Sequence, residues 1–146
     1  MFSPGNLLYF NPFLFPDGGT PKPKYFLVLA EVGDDVLLAS LPTSKDHIPS
    51  DLPVTAGCLE LPKRMINVYV LLENVPVTDN GFSFRVNTFI YGANIKTYDS
   101  GAFLSQMQNS ETEITLIGKL SDPLFKDILI CLKNSDAVRN RYKKLI

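Results

Sequence analysis

Lysine, hydroxyl and imidazole side chains gather in two short stretches of this 146-residue chain. The first, Asp17-Gly18-Gly19-Thr20-Pro21-Lys22-Pro23-Lys24, delivers two lysines to the start of an apolar run. The second, Pro42-Thr43-Ser44-Lys45-Asp46-His47, begins where the next apolar run ends. If residues 25–41 form an antiparallel hairpin, Lys24 and Pro42-Thr43-Ser44 must share one rim. Such a rim could hold a phosphate. Lys24 would supply charge, Thr43 and Ser44 hydrogen bonds, and His47 a proton exchangeable near neutral pH. Polar residues also collect at hairpin ends because loops are wet, so the cluster by itself fits either reading.

Other chemistries are removed by absence. The chain has one histidine, which rules out a two-imidazole acid/base pair and a His-rich metal site within one chain. It has no G-x-x-x-x-G-K-[ST] phosphate loop, no G-x-S-x-G elbow and no dinucleotide fingerprint. A net charge of −1 excludes a wholesale basic nucleic-acid binder but leaves room for a local basic patch. Cys58 and Cys131 stand 73 positions apart without a C-x-x-C motif. They read as unpaired, inert residues of a reduced intracellular protein, with Cys131 filling an apolar helix face. The opening Met1-Phe2-Ser3-Pro4-Gly5 does not look like a signal peptide, and the longest apolar stretch, Tyr25 to Ala30, is too short to cross a membrane. The cytoplasm is the expected location.

The elements that would position the rim follow from punctuation and period. Leu7 to Phe10 reads as a strand, the Pro/Gly-rich run 16–23 as a loop, and Tyr25 to Val32 as a strand buried on both faces. Gly33-Asp34-Asp35 turns the chain into a return strand, Val36 to Leu41. Residues 42–62 read as irregular, Met65 to Leu72 as β, and Phe82 to Tyr91 as a strand alternating with period two after the turn Asp79-Asn80-Gly81. Residues 92–111 carry little pattern, and Ile114 to Ile117 is a last short strand. Asp122-Pro123 then opens an amphipathic helix with Leu124, Phe125, Ile128, Leu129 and Leu132 on one stripe, and a second helical face runs to the end. Residues 1–118 carry seven basic and twelve acidic side chains, residues 119–146 seven basic and three acidic. The expected architecture is one mainly β (β+α) domain over residues 1–146: a small barrel over 1–118, closed by a C-terminal helical segment over 119–146.

Four segments, in order, resemble the MazF/PemK toxin family of bacterial toxin–antitoxin pairs. Pro4-Gly5-Asn6-Leu7-Leu8-Tyr9-Phe10 is similar to that family's Pro-Gly-Asp opening, and Lys24-Tyr25-Phe26-Leu27-Val28-Leu29 to its Arg-Pro-x-hydrophobic-Val-Leu strand. Leu41-Pro42-Thr43-Ser44 resembles its Pro-x-Thr/Ser segment, and Ile117-Gly118-Lys119-Leu120-Ser121 its Gly-x-Leu-Ser closure before a helix. Residues 52–112 carry no matching motif. The resemblance implies an SH3-like barrel, a homodimer, and a metal-independent endoribonuclease that cuts single-stranded RNA, needs no cofactor and is silenced by an antitoxin. Carried over, Lys24 takes the place of the catalytic arginine, and Thr43 or Ser44 that of the hydroxyl residue. Asn6 stands where aspartate is usual and Tyr25 where proline is. Lysine is a point charge and cannot grip a phosphate bidentately as arginine does.

Two functions follow. A toxin-like nuclease would drive the 2′-hydroxyl of RNA onto the adjacent phosphate, with Lys24 and Thr43 stabilising charge and His47 or a water moving the proton. Lys22, Lys45 and Arg85 would carry the RNA, brought together along one groove by dimerisation. A non-catalytic relative would instead keep the fold as a protein- or nucleic-acid-binding module.

Overall fold

The computed structural model describes residues 1–42 and 54–146. The chain is mainly β. Its strands run β1 (Asn6–Phe13), β2 (Lys22–Val32), β3 (Asp35–Leu41), β4 (Gly57–Leu61), β5 (Ile66–Leu71), β6 (Thr88–Tyr91), β7 (Ile95–Asp99) and β8 (Glu113–Lys119). Three α-helices, α1 (Ser100–Gln108), α2 (Asp122–Lys133) and α3 (Asn140–Lys143), complete it, with short 3₁₀ turns at Pro62–Arg64 and Gly92–Asn94. One antiparallel sheet has the order β7-β3-β2-β1-β8 and the other β4-β5-β6. The two do not close on each other, so the expected barrel is instead a pair of sheets.

The hairpin that the site depends on forms as its sequence demands. β2 and β3 pair with Tyr25 opposite Leu41 and Phe26 opposite Ser40, and Gly33 turns the chain at φ 61°. Continuing that register places Lys24 beside Pro42, so the shared rim is real as far as the described residues reach. Phe26 to Ala30 are all buried, because both faces of this central strand are covered.

Two apolar clusters lie on the two sides of the five-stranded sheet. On one side Leu7, Leu27, Leu37 and Ala39 pack with Tyr69, Leu71 and Ile90 of the second sheet and Ile128 and Leu132 of α2. On the other, Phe10, Phe13, Phe26, Val28 and Leu38 pack under α1 through Phe103. The alternation of strand side chains sorts neighbours such as Leu27 and Phe26 into opposite cores. Helix α2 starts one residue earlier than its Asp-Pro signal suggests: Ser121 is the N-cap, and Asp122 already lies in the first turn beside Pro123. Just before this helix, Gly118 of β8 lets the turn at Thr78 and Asn80 pack close. A Cβ there would sit 2.5 Å from Asn80 Oδ1, whose amide donates to the Ile117 carbonyl at 2.9 Å.

Three segments depart from their sequence reading. Residues 57–61, read as irregular, form β4, held against β5 from Gly57↔Val70 to Leu61↔Ile66. The alternating Phe82 and Phe84 are not on a strand; they fold back on Tyr25 with ring centroids 6.1 and 5.1 Å away, and only Thr88–Tyr91 joins the sheet. The unpatterned stretch 92–111 holds β7 and α1. Neither shows a strong period, since α1 buries only Phe103 and β7 is an edge strand.

The cysteine reading is overturned. Cys58 of β4 and Cys131 of α2 form a disulfide, with Cα atoms 5.7 Å apart. Around it, Asn67 donates to Glu60 Oε2 at 2.7 Å and to the Cys131 sulfur at 3.3 Å, while Ser135 donates to Glu60 Oε1 at 3.2 Å. Tyr69 donates to Asp127 of α2 at 2.6 Å. This pins α2 to the second sheet. Among the described residues, no helix is long and apolar enough to cross a membrane.

Candidate functional site

Lys24 leaves β2 on the α1 side of the sheet, at the end where the aromatic cluster runs out. There the floor opens into a cavity of about 380 Å³. Phe13, Phe15, Phe26 and Tyr98 form its apolar walls, and Ser40, Asn94 and Thr97 add polar groups. The Lys24 ammonium lies 5.2 Å from the centre of the Phe15 ring and 5.7 Å from that of Phe26. Lys22 reaches the same Phe15 ring at 5.7 Å. Lys96, from the edge strand β7, lines the cavity from the other side.

Two cations, Lys24 and Lys96, therefore line one aromatic-walled hollow with Lys22 over its Phe15 wall, and the carboxylate in its lining, Asp17, accepts the Gly19 backbone N–H at 2.9 Å. The electrostatics register this. Burial, reinforced by the nearby charges of Lys22 and Lys96, holds the Lys24 pKa below the usual lysine value. A half-buried ammonium against ring faces, repelled by two others, favours an anion in the cavity. The arrangement offers a ring to stack on, ammonium groups for a phosphate, and hydroxyl and amide groups for a sugar or base.

The residues singled out from sequence divide into three groups. Lys22 and Lys24 are together at the cavity. Arg85 is apart from them: it lines a separate hollow with Tyr25, Phe82 and Phe84. Because Tyr25 and Lys24 are successive on a strand, they point to opposite faces, so a single groove within one chain cannot hold Arg85 with the two lysines. Arg85 acts there on Tyr25, whose phenol is pushed up by burial and by Tyr9, with Arg85 opposing. Thr43, Ser44, Lys45 and His47 lie outside the described residues.

Sequence reading missed Ser40, Asn94, Lys96, Thr97 and Tyr98. A weak signal existed at Ile95-Lys96-Thr97-Tyr98-Asp99. Ile, Thr and Tyr favour strands, and Asp99 is an N-cap residue that accepts the Gly101 N–H at 2.8 Å to start α1. The pairing of this strand with β3, Lys96 opposite Leu38 and Tyr98 opposite Val36, is what carries Lys96 and Tyr98 to the cavity.

No protein-family model matches the chain, and no curated protein matches it either.

Proposed function

We propose that this chain binds single-stranded RNA at the Lys24 cavity and acts as a toxin-like, metal-independent endoribonuclease. The observation that carries the binding part is the meeting of Lys24 and Lys96 in a hollow walled by Phe13, Phe15, Phe26 and Tyr98, with Lys22 beside it over Phe15. Single-stranded nucleic acid is held by this pairing of stacking surfaces with cations along its backbone. The cleavage part rests on the resemblance to MazF/PemK toxins at Pro4–Phe10, Lys24–Leu29, Leu41–Ser44 and Ile117–Ser121.

In the proposed step the 2′-oxygen of a ribose forms a bond to the adjacent phosphorus while the bond to the 5′-oxygen breaks. The products are a 2′,3′-cyclic phosphate and a 5′-hydroxyl, the proton passing from the 2′-oxygen to the leaving oxygen. Lys24 offsets the charge that develops on the phosphoryl oxygens. Thr43 or Ser44 adds a donor, and His47 or a water carries the proton. A homodimer and an antitoxin-like partner with acidic side chains over the cavity belong to the same reading. So does a cytoplasmic location, where thiols are usually reduced; the mass of alkylated chain from fresh lysate reads the state of Cys58 and Cys131 there.

The test is induced expression in a bacterial host. Wild type is expected to arrest growth and shorten cellular RNA, and Lys24→Ala and Thr43→Ala to relieve both. A folded, soluble wild type that leaves growth and RNA intact contradicts the nuclease reading.

A further inference from the structure

A second cationic hollow adjoins the first across the edge strand. It has a volume of about 310 Å³ and lies between β7 and the C-terminal segment. Lys96 and Thr97 line both hollows; Arg139, Arg141 and Tyr142 complete the second. Its chemistry differs from the first. Arg141 lies 4.8 Å from the centre of the Tyr142 ring and donates to the Tyr142 hydroxyl at 3.1 Å, so its guanidinium is held rather than free to roam. Tyr142 is itself buried.

The geometry points to a continuous RNA track around the β7 edge. The Lys24 cavity takes one nucleotide, Lys96 bridges, and Arg139 with Arg141 binds a phosphate further along the same strand. By sequence the basic C-terminal residues Lys133, Arg139, Arg141, Lys143 and Lys144 fit either a nucleic-acid or partner contact or ordinary helix-end charge complementarity, and they do not point to the β7 edge. Yet α3 is a single turn, and Arg139 precedes it, so these arginines are not last-turn cations of a long helix. Arginine suits the outer position: it can grip a phosphate with two parallel hydrogen bonds.

This inference rests on the RNA reading of the Lys24 cavity, and oligonucleotide length separates the two. Fluorescently labelled oligouridylates of three and nine nucleotides are titrated with the full chain, and with Lys24→Ala and Arg139→Ala/Arg141→Ala variants whose folding is checked by thermal melting. An Arg139→Lys/Arg141→Lys variant keeps the charge and covers the case where the alanine pair fails to fold. Expected is a nonamer that binds more tightly than the trimer, and an arginine-to-alanine variant that loses only this advantage. Its slope of log affinity against log salt should shrink by about 0.7 for the nonamer, the value for one lost phosphate contact. The lysine pair should retain part of the advantage. If the arginine variants bind the nonamer as wild type does, or lose trimer and nonamer equally, the track is wrong while the Lys24 cavity stands. If Lys24→Ala binds both oligonucleotides as wild type does, the cavity reading fails and the track with it.

Discussion

The two sides of the five-stranded sheet are finished differently. On the α2 side the core is tied off: a disulfide joins Cys58 to Cys131, and neutral or paired hydrogen bonds from Asn67, Ser135 and Tyr69 reach Glu60 and Asp127. On the α1 side the phenylalanine cluster runs on until it meets Lys24, and stops there with a hollow instead of a seal. A protein selected only for stability would fill that hollow with an apolar side chain. Keeping Lys22 and Lys24 over aromatic rings, with Lys96 lining the same hollow as Lys24, is the kind of local cost that binding sites carry. Substitutions on the α2 side should therefore lower stability and spare binding, whereas substitutions of the lysines should do the reverse.

The largest expected effect is loss of the cross-link. The Cys58→Ala/Cys131→Ala pair frees a loop spanning 73 positions, and should cost about 4 kcal/mol and about 10 °C in melting temperature. Per folded molecule, RNA affinity should stay the same. Denaturant titration and RNA binding at a temperature where the variant is folded check both halves. Next is Phe103→Ala. Its ring lies 5.0 Å from Phe10 and 5.7 Å from Tyr98, so it is the buried side chain by which α1, with half-buried Met107 beside it, grips the aromatic cluster and indirectly the cavity wall. A loss of about 3 kcal/mol is expected. This is the substitution that should lower stability and affinity together, since Tyr98 loses its support.

Tyr69→Phe sharpens the contrast from the α2 side. Burial, together with the hydrogen bond to Asp127, pushes the Tyr69 phenol far above the usual tyrosine range. The phenol therefore stays a donor at any physiological pH. Asp127 is exposed, so removing the hydroxyl should cost only about 1 kcal/mol, measured by denaturant titration, with affinity unchanged.

The smallest stability effect is expected at Lys24, with the opposite sign. Folding lowers its pKa, so the folded state holds the proton less tightly than the unfolded chain does. The charged form is thus penalised below the folded pKa, and the penalty is relieved as pH rises through it. Lys24→Met should raise the melting temperature at neutral pH by about 1–2 °C, the scale for a partly solvated charge, while RNA binding weakens about tenfold. RNA affinity of the wild type should also begin to fall at a pH below the usual lysine value. A Lys24→Arg variant should hold its affinity through that window, since a guanidinium does not titrate there.

How much of this was legible in the sequence depended on whether the signal was local. The β2–β3 hairpin was, because Tyr25 to Val32 is an apolar run that turns at Gly33, and with it came the position of Lys24 on a rim beside Pro42. Helix α2 was legible from its Asp-Pro start and one apolar stripe. The α1 helix was not, since one buried phenylalanine leaves no period to read. Phe82 and Phe84 alternate as strand residues do, but they serve as a loop packed on Tyr25. Two sheets rather than a barrel, and the meeting of Cys58 with Cys131, are set by tertiary packing and leave no trace in spacing. The site was half visible for the same reason: Lys22 and Lys24 stood out beside a loop, whereas Lys96 arrives from an edge strand whose partner only the fold supplies.

The central claim is that the lysine-rimmed cavity, and not the basic surface at large, holds RNA. It is tested most directly by anisotropy of a labelled single-stranded oligouridylate with wild type, Lys24→Ala and Lys126→Ala, the last removing one equal charge from exposed α2. The account predicts that Lys24→Ala weakens binding about tenfold, on the order of one charge-assisted hydrogen bond, and that Lys126→Ala binds as wild type does. Equal losses in the two variants, or wild-type affinity in Lys24→Ala, would contradict it.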